Sequence, residues 1–298
     1  MTTLDSSLVS ALRTSGVQLT IGPFLVHVRS SLPGVRNYLD RFYGEFPVRD
    51  ARDGHFSVSV VPGRGLRRWI RPQAISLING ARPFYPLPGN LAGPLFEWAL
   101  NWAIGRVAHR WVVVHAAVVE RGGRAMIFPA EPGAGKSTLS AALTYSGWRF
   151  LSDEFAMLDP ATGLVWPMPR PISLKDGAIE IIRARHPDVI YGPEGTNVDD
   201  ERFVHAKPPV SSITRVHEAA VPAWIVTPRY RAGAPTSIVP VARAHALVQL
   251  AGQSFNYNYL GVTGYETLVR AIEHAQCFTL EYSDLDDVIA RLTEMTDS

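Results

Sequence analysis

Arg124-Ala-Met-Ile-Phe-Pro129, running into Ala130-Glu131-Pro132-Gly133-Ala134-Gly135-Lys136-Ser137-Thr138, decides how this chain is read. An apolar run of strand length enters a glycine-rich turn, and a helix-forming run from Lys136 to about Ser146 leaves it. Strand, glycine loop and helix together form the context in which a phosphate-binding loop works. Gly133 and Gly135 let the backbone approach an anion closely, so that successive N–H groups converge on it. The start of the helix adds its positive end to the same spot. Lys136 can reach the outer phosphates and the Ser137 hydroxyl can ligate Mg²⁺. Residues 131–138 are therefore expected to bind ATP with Mg²⁺. Ala130 stands where the usual pattern has its first glycine, the position least involved in wrapping phosphate.

Outward from the loop the pattern stays that of an α/β domain. Residues 111–120 are a valine-rich strand containing His115, and Arg121-Gly122-Gly123 turns the chain back into the loop's own strand. Downstream, Phe150-Leu151 begins another strand that ends at Asp153-Glu154, 17 and 18 residues after Lys136. Phosphoryl transfer needs a metal-positioning carboxylate and a group that orients the nucleophile. Parallel neighbouring strands would bring Asp153 and Glu154 beside the loop. One would complete the Mg²⁺ coordination and the other could take a proton from an attacking hydroxyl. His115, judged by its apolar surroundings alone, reads as a core residue.

Residues 186–212, with Pro187, Pro193, Pro208 and Pro209, read as one long loop. Strands are expected at 223–226, 238–241 and 277–281, and helices at 242–250 and 264–275. Ser283 is expected to cap a last helix with Leu285, Val288, Ile289 and Leu292 on one face. Phe255, Tyr257 and Tyr259 alternate with Asn256 and Asn258, as in a half-buried strand. Arg183, Arg185 and Lys207 read as surface charge. Lys175 and Glu180 remain open as additional site residues.

The front of the chain reads as a small α+β unit. Residues 18–29 form a strand broken at Gly22-Pro23, and Val35, Tyr38, Leu39 and Phe42 lie on one helical face. Phe56, Val58 and Val60 alternate with polar residues. Trp69-Ile70 and 74–78 are further expected strands, and Asn79-Gly80 is a tight turn before another at 82–87. An amphipathic helix over 93–108 follows Pro86-Leu-Pro-Gly89. These signals divide the chain into residues 1–90 and 91–298.

Composition limits the function classes. With a formal net charge of +2 and basic residues that read as spread out, neither nucleic acid nor an anionic membrane is an expected partner. No apolar stretch approaches the roughly 20 residues of a membrane span, and the first residues lack a secretory pattern. The single cysteine, Cys277, excludes an internal disulfide and reads as buried filler, which fits a cytoplasmic protein. The histidines show no metal-ligand pair, so no structural zinc is expected.

Residues 115–158 resemble the HPr kinase/phosphorylase family, and most nearly its HPr-kinase-related kinases. His115 precedes Lys136 by 21 residues, the loop keeps Gly-x-Gly-Lys-Ser, and Asp153-Glu154 follow at the family's spacing. Glu97-Trp-Ala-Leu-Asn-Trp102, Leu151-Ser-Asp-Glu-Phe155 and Tyr282-Ser-Asp-Leu285 look like signatures of that subgroup. The resemblance implies a P-loop nucleotide-binding domain of the phosphoenolpyruvate-carboxykinase-like fold. It also implies that His115, Lys136, Asp153 and Glu154 line a phosphoryl-transfer site, that Ser137 and Asp153 hold Mg²⁺, and that the acceptor is a serine on a small protein or peptide. A homo-oligomer is implied on the same ground. Glu154 replaces the family's second aspartate, and Glu180 lies at the distance of its downstream metal-binding glutamate but in a different context. The family's basic loop for phosphorolysis has no counterpart, so the reverse activity is not expected. A kinase of a small hydroxylated metabolite, or a nucleotide-gated binding protein without transferase activity, are the alternatives.

Overall fold

The computed structural model describes residues 5–131 and 133–297, and the chain divides into two compact units between Val107 and Ala108. This division falls after the expected helix, not before it. That helix, α3 (Ala92–Val107), packs on the first unit's sheet and helix, burying Leu95, Phe96, Ala99, Leu100, Ala103 and Ile104. Glu97 is buried in the same face and accepts a hydrogen bond of 2.5 Å from the Tyr43 hydroxyl, which satisfies it inside the unit.

The first unit begins with α1 (Ser6–Arg13), β1 (Val17–Ile21), β2 (Phe24–Ser30) and α2 (Pro33–Phe42). It continues through β3 (Val48–Arg49), β4 (Phe56–Pro62), β5 (Gln73–Ile78) and β6 (Leu87–Pro88) into α3. Its six-stranded sheet has the order β3-β1-β2-β4-β5-β6, with only β2 and β4 parallel. The break expected at Gly22-Pro23 in the strand over 18–29 is the turn of a hairpin between β1 and β2. All four apolar residues assigned to the α2 face are buried. Two expected strands are absent. Trp69 and Ile70 lie exposed beyond a 3-10 turn over Gly65–Arg68, and of residues 82–87 only Leu87 joins a strand. Neither segment has a buried face to hold it in a sheet.

The second unit opens with β7 (Val112–Arg121), β8 (Arg124–Pro129), α4 (Lys136–Tyr145), β9 (Arg149–Ser152) and β10 (Phe155–Leu158). Then come β11 (Val165–Trp166), β12 (Ile172–Lys175), α5 (Gly177–Arg185), β13 (Gly195–Thr196), β14 (Arg202–Ala206) and α6 (Val210–Thr214). The chain closes with β15 (Val221–Tyr230), β16 (Ser237–Pro240), α7 (Arg243–Gly252), α8 (Tyr257–Leu260), α9 (Val262–Glu273), β17 (Gln276–Tyr282) and α10 (Leu285–Asp297).

Its main sheet has the order β11-β10-β7-β8-β15-β17-β16, with β9 also paired to β7. β8, β15 and β17 run parallel, and β7 runs against β8, β9 and β10. Strand periodicity sorts β7 cleanly. Val112, Val114, Ala116 and Val118 pack with Leu250 of α7 and Leu268, Ala271 and Ile272 of α9. Ala117 and Val119 face the other way, toward Leu139 and Leu143 of α4 and Val288 and Leu292 of α10. A mixed sheet between two helical layers is an α/β architecture. Cys277 lies in the first of these cores.

The expected long loop over 186–212 instead contains β13, β14 and most of α6. A second sheet of order β12-β14-β13 packs its Ile172, Leu174, Val204 and Ala206 against Ala141 and Ala142 of α4. Phe255, Tyr257 and Tyr259 belong to no strand. The chain enters the short α8 there, leaving Phe255 and Tyr259 exposed. At the last helix Asp284, not Ser283, caps. Its carboxylate accepts from the N–H groups of Asp286 and Asp287, while the Ser283 hydroxyl donates to Ala234 O. Among the described residues, no helix is long and apolar enough to cross a membrane.

Candidate functional site

The carboxyl ends of β8, β9, β15 and β17 reach one edge of the main sheet, and there the glycine loop leaves β8. Ligands bind at such strand ends in open α/β sheets. β8 and β9 share a direction because both oppose β7, so the expected parallel strands are present but not neighbours: β7 lies between them. That interposition sets His115 between the loop and the acidic pair. Opposite His115 in the register stands Phe155, and the Ala116 N–H donates to Glu154 O at 3.3 Å. Where β8 ends at Pro129, residues 253–256 take over its edge of β7: the N–H of His115 donates to Gln253 O, and that of Val113 to Asn256 Oδ1.

Gly133 and Gly135 hold φ of 83° and 90°, left-handed values that suit glycine. Gly135 N-caps α4 without any side-chain hydrogen bond, so the first turn's N–H groups point into the loop. Gly135 is also a close approach. Its carbonyl accepts from the Tyr282 hydroxyl at 3.2 Å, and the Tyr230 N–H donates to Ala134 O. Pro132, expected in the same loop, lies outside the described residues. Glu131 accepts from the Gln253 amide at 2.6 Å, which ties the loop to the segment holding His115.

Lys136 is only 7% exposed, and its ammonium donates to the carbonyls of Ala130 and Glu131. Burial pulls its pKa down, opposed by the charges of Asp153, Glu154 and Glu131. Asp153 is buried against α4: it accepts from the Ser140 hydroxyl at 3.0 Å and from the Ser173 N–H at 3.3 Å, with the Ser137 hydroxyl a further partner. Burial and the neighbouring Glu154 charge push its pKa up to about 7, although these hydrogen bonds restrain the rise. The Glu154 side chain keeps 34% of its surface exposed, and one oxygen lies 3.6 Å from His115 Nδ1. Its pKa is also raised by burial, against the pull of Arg170, Lys136 and Lys175. His115 is lowered by burial and by the Lys136 charge, which keeps the imidazole neutral near pH 7.

The structure thus gathers His115, Lys136, Ser137, Asp153 and Glu154 at one sheet edge. Glu180 stands outside this group. It is exposed on α5 in an ion pair with Arg202 at 2.7 Å, and Arg202 also holds Glu194. Lys175 reaches Glu154 only through its field, since its ammonium pairs with Glu201 at 2.6 Å. Arg183 and Arg185 pair with Glu194 and Asp286 at the surface, but Lys207, also read as surface charge, is buried.

No model of a protein family matches the chain, and no curated protein matches it either.

Two contributors escaped the sequence. Arg170 is 5% exposed, lies 5.7 Å over the Phe155 ring, and is the largest favourable charge acting on the Glu154 carboxylate. Its signal was an arginine between prolines, Pro169-Arg170-Pro171, inside an otherwise apolar run. Gln253 carries no motif, because it acts through one backbone carbonyl and one amide.

Proposed function

We propose that this protein is an ATP- and Mg²⁺-dependent phosphotransferase of the HPr-kinase-related type, with a phosphoenolpyruvate-carboxykinase-like nucleotide domain. Its acceptor would be a serine hydroxyl on a small protein or peptide. The observation that carries this reading is the set of Lys136, Asp153, Glu154 and His115 around an uncapped helix start whose loop holds two left-handed glycines.

The nucleotide's phosphates would lie on the N–H groups of residues 133–138, with Lys136 turning from the loop carbonyls to the outer phosphates. The donors near that point are oxygens, the Ser137 hydroxyl and the Asp153 carboxylate, a set that suits Mg²⁺ completed by phosphate oxygens. Bound there, Mg²⁺ would neutralise charge developing on the transferring group. The two carboxylates differ in setting. Asp153 is enclosed by Ser137, Ser140 and Ser173, whereas Glu154 faces outward beside His115. We assign Asp153 to the metal and Glu154 to the acceptor. Glu154 would take the acceptor's hydroxyl proton as its oxygen bonds the γ-phosphorus. The bond from that phosphorus to the β–γ bridging oxygen then breaks, and ADP leaves. Neutral His115 would position the Glu154 carboxylate, and Arg170 would keep it charged.

A transfer assay with γ-labelled ATP tests this, using the small proteins and peptides encoded beside this chain's gene as acceptors. Label on a serine is expected with the wild type, with losses of about 100-fold or more in Lys136→Ala, Asp153→Asn and Glu154→Gln. Only Glu154→Gln should keep full affinity for MgATP. MgATP binding without any labelled acceptor would reject this acceptor class and favour a metabolite kinase or a nucleotide switch.

A further inference from the structure

The first unit carries a feature that phosphotransfer does not use. Between Asp53 and Glu97 the chain has no acidic residue, yet it contains Arg64, Arg67, Arg68, Arg71 and Arg82. The even spread of basic charge expected from composition fails here. Residues 64–72, the connection from β4 to β5, are exposed without interruption. The base of this connection is fixed, because the Gly63 N–H donates to Gln73 O at 2.7 Å and the Gly89 N–H to Pro72 O at 2.8 Å. Beside it opens a cleft of about 630 Å³ whose walls include Leu32, Pro33, Pro62, Pro72 and Pro88, with Arg67, Arg68 and Arg71 at its margin. Pro33 starts α2, a ten-residue helix with no side-chain cap and no acidic residue in its first turn. Three arginines and a helix start therefore face a volume in which no carboxylate of the described residues pairs with them. Arginine forks and an uncapped helix start both favour carboxylates. Around them, Leu66, Trp69 and Ile70 are 75%, 77% and 61% exposed, an apolar cost that a contact surface would recover.

We infer that this cleft is a docking site for an acidic peptide segment that carries an aliphatic side chain. Its carboxylates would pair with Arg67, Arg68 and Arg71, and the aliphatic group would enter the proline-lined floor. Charge complementarity selects an anionic chain, and the floor selects a peptide over a nucleic acid. Proline and leucine walls suit aliphatic side chains, and the one exposed aromatic ring of this connection, Trp69, already has the Arg68 guanidinium 5.6 Å from its centroid. Docking of this kind does not rest on the phosphotransferase reading, since none of its residues lies in the nucleotide loop.

Fluorescence anisotropy on the whole 298-residue chain tests the inference, with a labelled glutamate-rich peptide containing leucine as the probe. Saturable binding is expected, weakening as salt rises. The double variant Arg67→Glu/Arg71→Glu should lose about tenfold or more in affinity. Arg106→Glu, at the far end of α3, and Lys136→Ala should bind as the wild type does. A probe with serine in place of leucine should bind more weakly. Because the substituted arginines are exposed, unchanged melting of the double variant serves as the folding control, and Arg67→Ala/Arg71→Ala provides a milder second pair. Equal binding by wild type and both double variants would overturn the inference, as would the absence of saturation. Tighter binding of a single-stranded RNA of matching charge would also overturn it, and would make the surface a nucleic-acid site.

Discussion

Asp153 carries a cost that its proposed role at the metal would explain. Its pKa, pushed up to about 7, means that the folded protein binds a proton more readily than the unfolded chain between about pH 4 and 7. The sign follows. The stabilisation from that proton is complete below about pH 4 and is lost as pH rises through 7, so near pH 8 the buried charge costs on the order of 4 kcal/mol. Asp153→Asn should therefore melt several degrees above the wild type at pH 8 in EDTA, while the gap narrows at pH 5. Thermal melts at the two pH values check this, and a variant less stable at pH 8 would refute it. Transfer activity should vanish in the same variant, the trade between stability and function expected of a site residue. The pair Asp153-Glu154 was visible in the sequence by its spacing from Lys136. The division of labour proposed for them was not, because it depends on which carboxylate Ser140 and Ser173 enclose.

At the scale of elements, the glycine loop is held by the strands that meet it, and its two glycines are not equivalent. A Cβ on Gly135 would lie 2.6 Å from the Tyr282 hydroxyl and 3.2 Å from Tyr230 Cβ, whereas one on Gly133 would meet nothing within 4 Å. Gly133→Ala should cost only the strain of a left-handed backbone, about 1 kcal/mol. Gly135→Ala should cost more and should also displace the loop, weakening ATP binding. Adding Tyr282→Phe should recover part of that loss, because the nearest atom is then gone. Melting and nucleotide affinity across the two single variants and the double variant measure this, and equal effects at the two glycines would refute it. The loop's glycines were legible because the pattern depends on local backbone geometry. The tyrosines behind Gly135 were not, since they come from β15 and β17, about a hundred residues or more away in the chain. The same limit explains residues 186–212. Prolines and glycines there suggest a loop, but β14 is held by β12 and by α4, and local propensity yields to that packing.

For the whole molecule, the proposed nucleotide binding would appear as stability, because a ligand that binds only the folded state adds to its free energy. MgATP at about a hundred times its dissociation constant should stabilise the protein by roughly 2.7 kcal/mol and raise the melting temperature by several degrees. The shift should disappear in Lys136→Ala, and a wild type that melts unchanged would contradict the nucleotide reading. Division of the chain into units is another property of the whole. The helix over 92–107 was foreseen, but its apolar faces do not say which sheet they cover, and its packing on β4 and β5 moves the boundary to Val107. The sequence by itself determined the α/β alternation, the glycine loop and the acidic pair, because these depend on residue type, short spacing and backbone freedom within one strand–loop–helix unit. The insertion of β7 between β8 and β9, the placement of Arg170 and Gln253 around His115 and Glu154, and the exposure of the arginine-rich connection came only with the tertiary structure. Each depends on contacts between segments distant in the chain, whose free energy is set by the packing of the whole sheet and not by any one stretch of residues.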